Sequence, residues 1–190
     1  MTVTPDDFDA ATASVLTALA TATDRDWTQA PGTGDWNARV TAEHIGDGLM
    51  SYAAQLAVRP TTGYVRFLAQ VDADATAADV VEFAAAGAGM LSASLRVADP
   101  DLLAYHPSGM ADPAAFAGMG CVEVLVHGVD IARGLGSALE PPRDVCARVV
   151  AAMFPRLDVA GLDPWTALLW ATNRVEVPGR PSQRGWRWRG

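Results

Sequence analysis

The chain has 190 residues, 50% of them hydrophobic and 19% charged, the size and mix of one soluble globular domain. About two-thirds of the unfolded chain's surface can leave water at this length, so the fold needs no disulfides or metal to hold it, and any metal site is a functional candidate. The 14 basic residues, all arginine, stand against 22 acidic ones, and the formal net charge of -8 argues against a nucleic-acid partner or an anionic membrane surface.

Residues 1–10 lack a basic segment followed by an apolar run, and no stretch of about 18 uncharged apolar residues offers a membrane span. The expected location is therefore the cytoplasm. Thr4-Pro5-Asp6-Asp7 combines an N-cap, a proline at the first helical position and an acid three residues after the cap, which predicts a helix to about Thr23. Phe8, Thr12, Val15, Leu16 and Leu19 form its inward stripe. After a break at Pro31-Gly32-Thr33-Gly34, a second helix begins near Asn37 and continues to about Val58, where Arg59-Pro60-Thr61-Thr62-Gly63 interrupts it. Ile45, Leu49, Tyr52 and Leu56 are its apolar stripe. The adjacent stripe of Thr41, His44, Gly48, Ser51 and Gln55 is small and polar, suited to line a cavity.

Thr76 opens a third helix toward Arg96 with a box closed by Asp79, and Asp112-Pro113 caps a fourth that should end near Gly136. Four long antiparallel helices suggest an up-down bundle, since no early segment alternates with the period of a strand. A fifth helix covers about Pro142 to Phe154 with Val145, Val149 and Met153 inward, and Asp163-Pro164-Trp165 starts a short sixth. In the terminal segment Val175 and Val177 alternate with charges, as do Trp186 and Trp188 beyond a turn at Pro178 to Gly185, which predicts a small β-hairpin. The fold class is thus an all-α four-helix bundle, residues 1–154, with a C-terminal extension, residues 155–190. Cys121 and Cys146 lack redox or zinc-knuckle spacing and read as buried thiols. The tryptophan-bearing tail could form a homodimer surface or complete the chain's own core.

The three histidines carry the chemistry. Glu123 and His127, four positions apart on the fourth helix, project from one face together with Phe116, Gly120, Asp130 and Gly134. An inward carboxylate costs several kcal/mol, on the order expected for a buried ion, unless a cation or hydrogen-bond donors compensate it. A divalent metal fits that role, with His44 as the natural third ligand and one coordination position left open. The alternative is a solvated Glu-His pair. Asp130 could orient His127 or a bound water, or simply pair with Arg133. His106 could supply a proton near the site, or be a solvated loop histidine. Arg174, Arg180, Arg184, Arg187 and Arg189 could attract a carboxylate substrate or form a wet surface.

Trp36, Arg39 and His44 stand in the register W-x-x-R-x-x-x-x-H, and His106, Gly109, Asp112, Pro113, Glu123, His127, Gly128, Asp130, Ala132 and Gly136 follow in order. This combination, across about residues 8 to 136, resembles the mycothiol-dependent maleylpyruvate isomerase family of DinB-like metal-binding bundles. The resemblance implies His44, Glu123 and His127 as ligands of a divalent metal, with zinc the expected ion, and mycothiol as co-substrate. The isomerase carries a sizeable carboxy-terminal domain where this chain has residues 155–190, a departure that weakens the link to the maleylpyruvate reaction itself.

The implied chemistry is isomerisation or S-transfer on a small electrophile by a metal-activated thiol. The same residues would also suit a metal-water hydrolase with Asp130 or His106 as base, a ferrous oxygenase, or a noncatalytic metal- or small-ligand-binding protein.

Overall fold

The helix starts written into the sequence are the starts the chain uses. The structure, a computed structural model, describes residues 2–187. It contains α1 (Pro5–Ala20), α2 (Ala38–Val58), α3 (Ala77–Val97), α4 (Pro113–Gly134), α5 (Arg143–Met153) and α6 (Pro164–Ala171). Thr4 and Thr76 close reciprocal capping boxes with Asp7 and Asp79, while Asn37, Asp112 and Asp163 each accept a backbone N–H in the first turn of their helices. The predicted stripes face inward: Phe8, Thr12, Val15 and Leu19 of α1 are buried, as are Ile45, Leu49, Tyr52 and Leu56 of α2.

Side-chain neighbours give the helix directions. Phe8 and Val15 of α1 lie against Gly120 and Gly128 of α4, so these two helices run parallel. Arg39 reaches Ala75 at the start of α3, and Gly46 sits against Phe83 and Gly87, so α2 and α3 are parallel as well. Asp6 and Asp9 pair with Arg96, which makes α1 and α3 antiparallel; His44 faces His127 while Tyr52 faces Phe116, which makes α2 and α4 antiparallel. In chain order the bundle therefore runs up, down, down, up. Two neighbouring pairs are parallel where all four helices were expected to alternate.

This order has a mechanical consequence. To start α3 beside the start of α2, the chain must travel back along α2, a 21-residue helix about 31 Å long. Residues 59–76 make that return without regular structure of their own. Three α2 side chains hold them in succession: Gln55 Oε1 accepts from Val65 N at 3.0 Å, Asp47 Oδ1 accepts from Ala69 N at 2.7 Å, and Arg39 donates to the carbonyls of Asp72 and Ala75. Eight helical residues rise about 12 Å, which four extended residues also cover, so the steps from Gln55 to Asp47 and from Val65 to Ala69 match. The polar stripe expected to line a cavity thus spends Gln55 on this strap, and buried Thr41 on the Asn37 carbonyl and the Thr33 amide.

The two-stranded antiparallel hairpin lies at β1 (Ala104–His106) and β2 (Gly109–Ala111), where Tyr105 is opposite Met110. Residues 174–187, expected to pair as a hairpin, form turns and irregular chain; Trp188 and Arg189 lie outside the described residues. Pro178 and Pro181 remove ladder donors, and the segment packs on the C-terminal helices instead. Trp170 Nε1 donates to the Pro181 carbonyl at 3.1 Å, Arg180 donates to the Ala160 carbonyl at 2.6 Å, and Trp186 lies 6.1 Å from Phe154, ring centre to ring centre.

Helices α5 and α6 contribute Val145, Val149, Met153, Trp165 and Leu168 to the core that α1–α4 build. Helices α3 and α4 are long and apolar enough by length and composition to cross a membrane; most of α4 is buried within the bundle and α3 is its partly exposed neighbour. Cys121 and Cys146 are free and buried, and burial pushes the Cys146 thiol up to about 12.

Candidate metal centre

Helices α2 and α4 bring His44, Glu123 and His127 together, with one potential ligand atom from each lying within 4.8 Å of the others. Glu123 Oε2 stands 3.0 Å from His127 Nε2 and 3.7 Å from His44 Nε2. Two ligand atoms on a tetrahedral zinc ion are about 3.3 Å apart, so these separations bracket that requirement. The Glu123 and His127 side chains are 12% and 14% exposed, and His44 is 39% exposed, which leaves the solvent side of the cluster at His44. Burial pushes the Glu123 carboxyl up, but hydrogen bonds and charge from His127 and His44 outweigh it and hold the group down at about 2. The hydrogen bond to Glu123 in turn raises His44 above the ordinary histidine value against the opposing effect of burial. An anionic oxygen flanked by two imidazole nitrogens is a donor set that suits a divalent cation.

Four further residues fix these groups. Thr33 Oγ1 lies 2.7 Å from His127 Nδ1 and donates to Asp130 Oδ2 at 2.7 Å. With its one proton given to the carboxylate, the Thr33 oxygen accepts from His127 Nδ1–H, which leaves Nε2 as the ring nitrogen that faces the cluster. Asp130 is held from the other side by Arg174, through Nη2 at 2.8 Å and Nε at 3.3 Å. The alternative pairing of Asp130 with Arg133 is not made, since Arg133 donates to the Arg174 carbonyl. Tyr52 donates its hydroxyl proton to Glu123 Oε1 at 3.2 Å, and burial first, then the negative field of Glu123, keeps that phenol protonated far above the usual range.

Glycine at position 134 makes the Thr33 contact possible. A methyl group there would collide with the Pro31 carbonyl, so only a bare backbone lets the Pro31–Gly34 turn lie against α4.

The family model for the mycothiol maleylpyruvate isomerase N-terminal domain matches residues 8–132. The chain belongs to this family. No curated protein and no solved structure gives a significant match. In this member of the mycothiol maleylpyruvate isomerase family, the matched span contains His44, Glu123, His127, Thr33, Tyr52 and Asp130, while Arg174 reaches the site from beyond it.

His106 belongs to the same span but not to the converging trio. It is 6% exposed, so the solvated-loop alternative does not hold. Its ring packs among Tyr52, Tyr64 and Phe116, its Nδ1 accepts from Ser108 N at 3.1 Å, and burial holds it below the ordinary histidine value, partly offset by Glu123. Trp36 lies over His44 with ring centres 5.0 Å apart, and Arg39 pairs with Glu43 at 2.9 Å while holding the return loop.

In the sequence Tyr52 reads as core and Thr33 as part of a helix break, while Arg174 is one of five tail arginines with nothing to single it out for this site. A phenol on an inward stripe eight residues after His44 is the one local signal available, because a buried hydroxyl needs a polar partner.

Proposed function

We propose that this chain is a metal-dependent enzyme that presents a low-molecular-weight thiol, mycothiol by its family, to a small electrophilic substrate for isomerisation or S-transfer. The convergence of His44, Glu123 and His127 inside the family-matched span carries the reading. The three residues would hold a divalent metal, zinc on the chemistry of the donors, whose contribution is to lower the pKa of a bound thiol or water and stabilise the resulting anion.

The protein's own share is orientation. Thr33 and Asp130 hold the His127 tautomer, Arg174 fixes the Asp130 carboxylate, and Tyr52 holds the second oxygen of Glu123. We assign His106 a supporting role behind the Tyr52 ring, and Asp130 a positioning role through Thr33. The more exposed imidazole, His44, marks the side from which substrates approach. The described part of the extension beyond residue 154 braces the site through Arg174. Dependence of turnover on mycothiol distinguishes this reading from hydrolysis by the same residues.

A net charge of -8 supports a small-molecule partner over nucleic acid, and free buried thiols suit a reducing cytoplasm. Trp165 and Trp170 are buried within the chain and Trp186 packs against its core, which supports intrachain use of the tail over a dimer contact.

The test is metal content and turnover together. Purified His44→Ala, Glu123→Ala and His127→Ala should each lose stoichiometric zinc yet unfold cooperatively, and the metal-replete native chain should convert an electrophile from a panel that includes maleylpyruvate only when mycothiol is present, consuming the thiol in S-transfer and regenerating it in isomerisation. Wild-type metal stoichiometry in all three folded variants would refute the ligand set, and electrophile conversion that proceeds equally well without mycothiol would point to hydrolysis.

A further inference from the structure

Beside His44 the surface opens into a groove of about 190 Å³ lined by Trp36, Val40, Glu43, His44, Asp47 and Leu68. Its apolar wall is costly to leave in water: Trp36 is 43% exposed, Val40 39% and Leu68 68%. These side chains come from two segments, the start of α2 and the return loop, and the loop is not free to drift. Leu68 immediately precedes Ala69, whose N–H is held by Asp47, and Arg39 holds Asp72 and Ala75 further on. The groove is therefore a built feature with an imidazole of the candidate metal centre as part of its lining.

Its charge is equally specific. The ionisable lining groups other than His44 are the carboxylates Glu43 and Asp47. Arg39, on the same helix, is occupied by Glu43 and by two loop carbonyls. The lining presents an anionic substituent with two carboxylates and no guanidinium, whereas an uncharged ring or branched alkyl group would cover Trp36, Val40 and Leu68.

We propose that this groove binds the uncharged apolar substituent of the electrophilic substrate, and that the substrate is accordingly a neutral aryl or alkyl electrophile and not a dicarboxylate such as maleylpyruvate. The inference rests on the metal-centre reading for the location of the reacting end, and on the groove alone for the chemistry of the distal end.

The groove can be tested without turnover. Phenylnaphthylamine, a neutral fluorophore, and its sulfonated counterpart anilinonaphthalene sulfonate are titrated into metal-free and zinc-loaded protein. The neutral probe should bind about tenfold more tightly than the sulfonate, and Trp36→Ala and Leu68→Glu should each weaken it about fivefold or more with unchanged circular dichroism. Leu68→Arg should shift the preference toward the sulfonate. Equal binding of both probes, or neutral-probe binding untouched by the substitutions, overturns the proposal.

In the turnover arm, the neutral ester of one electrophile should outpace its free acid in mycothiol-dependent conversion, and Leu68→Glu should raise KM for the ester with little change in kcat. A faster free acid overturns the substrate class. If no electrophile is consumed, the proposed function falls while the probe titrations still decide the groove.

Discussion

Arg174 grips Asp130 across 44 positions of sequence, with Nη2–Oδ2 at 2.8 Å and Nε–Oδ1 at 3.3 Å. The two-point contact fixes the plane of the carboxylate, and that plane determines where Thr33 can give its proton. The first residues after α6 thereby help set the ring orientation of His127 on α4.

Loss of this support should be read in metal affinity before it is read in stability. Asp130→Asn and Thr33→Val are expected to weaken zinc binding about 10- to 100-fold, with Arg174→Ala at the lower end of that range. Competition against a chromophoric chelator measures the effect. Unchanged affinity in all three would remove the chain from Arg174 to His127 from the account.

Gly134→Ala should act at a distance from its own side chain. The added methyl meets the Pro31 carbonyl, so the Pro31–Gly34 turn must shift, at about 1–3 kcal/mol of stability. The nitrogen-15 resonance of His127 Nδ1 should move as the Thr33 contact lengthens, and an unperturbed resonance would mean that the turn tolerates the methyl without retreating.

Gln55 is fully buried and joins the return loop to the hairpin, with its amide nitrogen 2.6 Å from the Tyr105 carbonyl and its oxygen 3.0 Å from Val65 N. Gln55→Leu keeps much of the volume but leaves a buried carbonyl and amide without partners, an expected loss of about 1–3 kcal/mol. Hydrogen exchange should accelerate at Val65 first. Exchange at Ala69 should respond instead to Asp47→Ala.

Asp7 should contribute a measurable part of the acid sensitivity. Burial raises its carboxyl pKa, but hydrogen bonds from Arg148 and from Thr4 outweigh burial and hold it below the ordinary carboxylate value. A folded-state pKa below the unfolded one contributes stability that is present at neutral pH and is lost as pH falls below about 4. Asp7→Asn should therefore lower stability by about 1–3 kcal/mol at pH 7 and flatten the acid side of the stability profile. Denaturant midpoints at pH 7 and pH 3 give the comparison, and parallel losses at both would sink the assignment.

The helices were legible in the sequence because their signals are local. A cap and its partner are three residues apart, an inward stripe repeats every three or four, and Glu123 and His127 share a face by spacing alone. The β-hairpin was misplaced for a related reason: alternation in the tail satisfied the strand pattern, but two prolines and packing against α5 and α6 prevailed. Only the tertiary structure decided that the bundle runs up, down, down, up, because nothing in a helix's composition records the direction of its neighbour. From that order came the long return of residues 59–76 and the apolar wall beside His44. It also decided the support of the site, since Thr33 meets His127 across 94 positions and Asp130 across 97, separations that no periodic pattern spans and that depend on packing the Pro31–Gly34 turn against a bare glycine.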